Sequence, residues 1–232
     1  MTSLTANRNE NGVDNTVVIM PYESHKEYYI EDLGEIDAKP VYSFFKRAFD
    51  IAASLLALLI LAVPMLVVAL LVKCTSKGKV LYHQQRLGLN GCKIDVIKFR
   101  TMRMDAEMNG IQWSSGEKDP RVTSFGRVLR ATHLDELPQL WCILKGEMSL
   151  VGPRPEREVY YNEFEKYIHG FHERLKVKPG LTGLAQVEGG YHLPPQKKVL
   201  YDVEYIKNRS LWLDIKIILK TAVLVFDYDG AK

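Results

Sequence analysis

An α+β domain, mostly helical and attached to a membrane element, is what this sequence predicts, and three observations carry that reading. Ile51–Val72 is an apolar run of 22 residues containing one hydroxyl, Ser54, no charge, and one proline, Pro64. Val80–Gln84 and Ile94–Phe99 are short β-type stretches around an Asn90-Gly91 turn signal, the pattern of a hairpin. Helical patterns occupy much of the remainder: Phe125–Arg130, a helix beginning near Asp135, Phe164–Val177 ending before Pro179-Gly180, and Leu211–Phe226. Between them Gly110–Pro120 is polar and reads as a loop, and no internal repeat or low-complexity tract is present.

The chain of 232 residues can bury one sizeable core, and its 47% hydrophobic and 25% charged content are those of an ordinary folded domain. The net charge of +3 conceals an asymmetry. Residues 1–40 hold eight acids against Arg8, Lys26 and Lys39, and read as a flexible acidic tail. That leaves 28 basic and 20 acidic side chains on residues 41–232, a body suited to an anionic partner. Cys74, Cys92 and Cys142 are scattered, odd in number and lack CxxC spacing, so three packed thiols in a reducing compartment are expected. The polar first fifteen residues argue against a signal peptide.

The apolar run divides the chain into a tail at 1–40, a membrane helix at 41–75 and a folded domain at 76–232. A straight helix of 22 residues, at about 1.5 Å per residue, would cross a bilayer core. Pro64 removes a backbone hydrogen bond and bends such a helix. Lys46 and Arg47 precede the run and Lys73, Lys77 and Lys79 follow it, which places both flanks on the cytoplasmic side. A re-entrant helix broken at Pro64 satisfies both facts, and a single-pass anchor with a tolerated kink is the alternative. Leu211–Phe226, with only Asp214, Lys216, Lys220 and Thr221 polar, suits an amphipathic interfacial helix with snorkelling lysines, or a core helix with one wet edge.

The densest chemistry lies in Arg130–Leu140. Leu137, Leu140, Trp141 and Leu144 recur at helical spacing, so they predict one buried face. Pro138 is tolerated in a first turn, which puts the helix start near Asp135. Asp135 and Glu136 would then sit at a helix N-terminus, where free N–H groups favour ionised carboxylates. Such a carboxylate can attack phosphorus or hold Mg²⁺, although simple capping would select the same residue. Arg121, Arg127, Arg130 and Lys145 add phosphate-type donors. Arg154, fixed between Pro153 and Pro155, is presented at little entropic cost for bidentate phosphate binding. Lys178–Gly183 is glycine-rich but matches neither GxGxxG nor a P-loop, and His169 with His172 lacks a third metal ligand.

Taken together, these blocks resemble the monotopic phosphoglycosyl transferases, the bacterial sugar transferases that start polysaccharide and glycoprotein glycan assembly. The likeness runs from Lys46–Asp50 (KRAFD) and the proline-broken helix through Lys98–Met102 and Asp119–Arg121. It continues through Leu134–Leu140, Lys145–Glu156 and Pro179–Val187, covering about 180 residues. The resemblance implies a re-entrant helix and a location on the cytoplasmic face of the bacterial inner membrane. It implies transfer of a sugar-1-phosphate from a UDP-sugar to polyprenyl (undecaprenyl) phosphate. Asp135 would attack the β-phosphate and expel UMP, with Glu136 assisting through Mg²⁺ or proton handling. Arg154 would bind phosphate, and Lys98, Arg130 and Asp202 would fall on the polar positions of the site. No nucleic-acid motif is present, and the oligomeric state, a homodimer included, is left open. Many relatives carry Asn-Gly-Arg where this chain has Glu188-Gly189-Gly190, so the identity of the sugar does not transfer.

Overall fold

The computed structural model describes residues 26–108, 119–189 and 193–226. The expected loop at Gly110–Pro120 and the stretch after Gly189 therefore fall largely outside the described residues, as does the tail up to residue 25. Helices dominate: α1 (Pro40–Thr75), α2 (Ser124–Ala131), α3 (Gln139–Lys145), α4 (Glu158–Phe164), α5 (Leu184–Gly189), α6 (Pro195–Asn208) and α7 (Leu211–Phe226). The strands are short: β1 (Tyr28–Tyr29), β2 (Leu81–Leu87), β3 (Lys93–Phe99), β4 (Ser149–Val151), β5 (Ile168–His169) and β6 (Gly180–Thr182). The expected hairpin is β2–β3, antiparallel, with Leu81 opposite Phe99 and Leu87 opposite Lys93. Asn90 takes φ 53° and Gly91 φ 77°, the left-handed backbone that an Asn-Gly pair tolerates. Two short parallel ladders, β1–β5 and β4–β6, complete the sheets among the described residues.

Helix α1 is long and apolar enough to cross a membrane. One stripe of it nonetheless meets the domain, with Asp50, Ser54, Val68 and Val72 buried. Tyr42, Lys46, Asp50, Ser54, Ala57, Leu61, Met65, Val68 and Val72 are covered, at steps of three or four residues. The opposite face exposes Phe44, Phe45, Leu59, Ile60, Val63 and Leu66. Arg47 donates to the carbonyls of Ile143 and Leu144 at 2.6 and 2.7 Å, and Asp50 accepts from the Leu150 amide at 3.0 Å. Far along the helix, Val68 and Val72 pack with Phe99 and Leu129. Pro64 lies inside this helix and does not end it, so the break expected there is at most a bend within one element. The Leu, Ala and Met residues around it are strong helix formers that carry the helix past one missing hydrogen bond.

Helix α7 has the predicted bounds, turns Asp214 inward and leaves Lys216 exposed. Asp214 is buried, accepting from Lys46 at 2.9 Å, Tyr42 at 3.0 Å and Tyr205 at 2.8 Å. Trp212, Ile215, Leu219 and Val223 face outward. Lys220 pairs with Glu188, so it is not free to snorkel. The apolar faces of α1 and α7 meet beside Phe45, Phe49, Leu211 and Ile215.

Three further expectations are corrected. The chain over Phe164–Val177 is not one helix: α4 ends at Phe164, β5 follows, and a 3₁₀ turn spans Phe171–Lys176. Gly170 at φ 89° separates the last two, a conformation no helix continues through. Only Cys142 is packed, whereas Cys74 and Cys92 are exposed free thiols. The acidic segment before α1 folds back on the body over residues 26–39. Tyr28, Ile30 and Leu33 pack against the aromatic cluster of Tyr161, Phe164 and Phe171, while Glu31 pairs with Lys207 and Asp32 with Lys176.

The β4–β6 ladder is closely packed at its glycines. A Cβ on Gly180 would lie 2.1 Å from the Gly152 nitrogen and 2.3 Å from the Thr182 oxygen, both rigid backbone atoms. Gly180→Ala is therefore expected to cost about 1–3 kcal/mol, the usual penalty of overpacking. Thermal unfolding of the detergent-solubilised protein measures it, and an unchanged melting temperature would show that the ladder yields.

Candidate active site

Four pieces of chain converge on one carboxylate. Strand β3 carries Lys98, and a 3₁₀ turn at Leu134–Glu136 carries the acid pair. The segment leaving β4 carries Pro153-Arg154-Pro155, and β2 carries Arg86. Lys98 Nζ donates to Glu136 Oε1 at 2.6 Å. Arg154 donates from Nη1 to Oε2 at 3.1 Å and from Nη2 to Oε1, a bidentate clamp. Burial opposes the charge on Glu136, but Arg154 and Lys98 outweigh it and hold this carboxyl well below its ordinary range. Lys98 is itself lowered, by burial first and then against the pull of Glu136.

Asp135 is the opposite case. It is 6% exposed and, among the described residues, its side chain makes no hydrogen bond or ion pair. Burial, and then the neighbouring Glu136 charge, push its carboxyl up to about 6. Lys98, Arg130 and Arg154 pull the other way and do not restore it. The expected helix start near Asp135 is corrected accordingly: α3 begins at Gln139, and the pair occupies the 3₁₀ turn before it. His133 at φ 55° sets off that turn, so no α-helical first turn offers its amides to these acids. The buried face of α3 is Gln139, Leu140, Cys142 and Ile143, whereas Trp141 is 52% exposed.

The remaining expected residues divide into two groups. Arg130 donates from Nε to Thr101 Oγ1 at 3.0 Å and lies within electrostatic reach of Asp135. The Pro153 carbonyl accepts from the Gly180 amide at 2.9 Å, and the Pro155 carbonyl accepts from Arg86 Nη1. Asp202 stands a layer back, paired with Arg174 at 2.7 Å, and Arg174 in turn reaches the Arg154 carbonyl. Arg121 is bound to Asp119 at 2.6 Å, Arg127 to Ser124, and Lys145 to Glu147, none of them on the acid pair. His169 and His172 pair with Glu27 and Glu165.

Sequence reasoning passed over Arg86, Arg174 and His133. A signal for Arg86 exists: in the hairpin register Tyr82 faces Lys98 and Arg86 faces Ile94, so a period-two count places Arg86 on the Lys98 side. Arg86 also pairs with Glu156 at 3.6 Å.

The donor set bears on a metal. Both Glu136 oxygens already accept from cations, so an ion there would compete with Lys98 and Arg154. Asp135 has no such competitor. No cluster of three metal-ligating side chains occurs among the described residues. One carboxylate plus phosphate oxygens is a common way to hold Mg²⁺, and Asp135 fits that arrangement.

Fold and site together define a class: a membrane-associated α+β domain with a shielded carboxylate pair among Lys98, Arg130 and Arg154. The chain belongs to the bacterial sugar transferase family, whose model matches residues 41–228. It is 39% identical over 203 residues to an Aeromonas hydrophila UDP-N-acetylgalactosamine-undecaprenyl-phosphate N-acetylgalactosaminephosphotransferase, covering 86% of this chain and 48% of that protein. A Klebsiella pneumoniae UDP-glucose:undecaprenyl-phosphate glucose-1-phosphate transferase is 44% identical over 183 residues, 76% of this chain and 39% of its own length. A Salmonella typhimurium undecaprenyl-phosphate galactose phosphotransferase is 39% identical over 208 residues, 84% and 43% respectively. The chain thus spans less than half the length of these relatives.

Proposed function

We propose that this chain transfers a sugar-1-phosphate from a UDP-sugar to undecaprenyl phosphate through a covalent Asp135 intermediate, beginning assembly of a polysaccharide or glycoconjugate. One observation carries the reading: of two adjacent buried carboxylates, one is neutralised by Lys98 and Arg154, and the other has no ion-pair partner among the described residues. A carboxylate poorly solvated and unpaired is a strong nucleophile once ionised. In the first step an Asp135 oxygen bonds to the β-phosphorus and the bond to the bridging oxygen breaks, releasing UMP. In the second step an oxygen of the lipid phosphate attacks the same phosphorus and Asp135 leaves, giving undecaprenyl diphosphate sugar. Arg154 and Lys98 supply the positive potential that offsets charge on the entering phosphates. Mg²⁺ held by Asp135 and substrate phosphate would lower the repulsion between nucleophile and phosphate.

The outward apolar faces of α1 and α7 support a monotopic placement on the cytoplasmic face of the inner membrane, with α1 entering and leaving by the same side. There a lipid phosphate and a soluble nucleotide sugar both reach the acid pair. Purified protein in nanodiscs, given Mg²⁺, undecaprenyl phosphate and UDP-glucose, UDP-galactose or UDP-N-acetylgalactosamine in turn, is expected to release UMP. The first-step rate is expected to rise as pH increases through about 6, where Asp135 ionises. Release of UDP instead would make the chain a glycosyl transferase and overturn the mechanism.

A further inference from the structure

We infer that Asp202 and Arg174 are a buried positioning pair that sets Arg154 for phosphate, acting through the backbone of the Pro153-Arg154-Pro155 segment. The inference rests on the reading of Arg154 as a phosphate-binding group. Both partners are 1% exposed, so neither reaches substrate. Arg174 is held by the Asp202 carboxylate at 2.7 Å, and its guanidinium stands 5.0 Å from the Phe171 ring and 5.8 Å from that of Tyr161. From this fixed position Nη2 donates to the Arg154 carbonyl at 3.0 Å.

That bond completes a pattern. The three successive carbonyls of Pro153, Arg154 and Pro155 accept from the Gly180 amide, Arg174 Nη2 and Arg86 Nη1. The two prolines fix φ, and the three donors fix the peptide planes, so the Arg154 side chain leaves a backbone with little freedom. Both contacts fall on one nitrogen, Nη2, which meets the Asp202 carboxylate and the Arg154 carbonyl together; a lysine ammonium ends one bond nearer the backbone and is a compact charge without the planar guanidinium that stands by the two rings. Stability alone is a weak reason for the arrangement, because a buried ion pair is commonly no better than apolar residues of similar volume.

The test is a double-mutant cycle on the full chain in nanodiscs with Mg²⁺, comparing wild type, Arg154→Ala, Arg174→Lys and the double variant. Two quantities are read: affinity for UDP by calorimetry, which carries the diphosphate whatever the sugar, and the thermal midpoint. Arg154→Ala is expected to weaken UDP binding roughly 10- to 100-fold, the scale of a lost charged hydrogen bond. Arg174→Lys is expected to weaken it about 5- to 10-fold by displacing Arg154. The double variant should match Arg154→Ala within about twofold, while the two thermal losses still add. Losses in UDP affinity that multiply would overturn the inference, as would wild-type affinity in Arg174→Lys when Arg154→Ala is impaired. Wild-type affinity in Arg154→Ala would instead remove the phosphate reading beneath it. Should Arg174→Lys fail to fold, Asp202→Glu enters the same cycle under the same criteria, because it keeps the charge and moves the carboxylate by one methylene.

Discussion

Asp135→Asn is expected to end sugar-phosphate transfer, by a factor on the order of 10⁴ or more, while leaving the protein folded and more stable than wild type. The loss follows from chemistry: an amide cannot form the acyl phosphate. The gain follows from electrostatics. Asp135, without an ion-pair partner among the described residues, is moved by burial and by Glu136 from 3.8 to about 6. The folded protein therefore binds this proton more tightly than the unfolded chain does, so stability falls as pH rises between those values. A displacement of that size costs the ionised form roughly 3 kcal/mol. The asparagine variant escapes that cost. Its advantage should be absent near pH 3, grow through pH 4–6 and be complete above about 6, in thermal unfolding followed across pH. A variant that is inactive and less stable at neutral pH would show that Asp135 is held by structure and not kept for reaction.

How much of this is legible in the sequence depends on how local each cause is. The β2–β3 hairpin can be read because Asn90-Gly91 and the flanking β-type residues act within a few positions. The bounds of α7 can be read for the same reason, but not its orientation. Asp214 turns inward only because Tyr205 of the preceding helix and Tyr42 and Lys46 of the distant α1 wait there. The acid pair is identifiable from its surrounding residues, yet its 3₁₀ turn is not, since a left-handed His133 leaves no mark that helix periodicity detects. Pro64, read alone, predicts a bend, and α1 carries that proline inside one continuous element packed against the domain on both sides of it. The clamp on Glu136 joins residues 38 and 18 positions away, which only the folded chain brings together. Arg86 and Arg174 were hidden for that reason too.

Glu136→Gln should behave in the opposite sense to Asp135→Asn, and the contrast separates the two acids. Glu136 is the counter-charge for Lys98 and Arg154, whose side chains are 18% and 25% exposed. Removing the charge strands two partly desolvated cations, which is expected to cost about 2–3 kcal/mol, below the full penalty for a wholly buried pair. Because the Glu136 carboxyl lies well below its ordinary 4.5, its contribution is present above that value and is lost as pH falls. The variant's deficit should therefore be largest at neutral pH and shrink in acid, where the Asp135→Asn advantage also vanishes. Activity should drop by about 10²–10³, the scale of losing a preorganised charged group. What remains should titrate differently. With the neighbouring negative charge gone and Lys98 and Arg154 freed, Asp135 ionises more readily, and the acid limb of single-turnover UMP release moves below pH 6. An acid limb that stays where it was would mean that Glu136 does not govern the ionisation of Asp135, and the division of labour between the two carboxylates would fall with it.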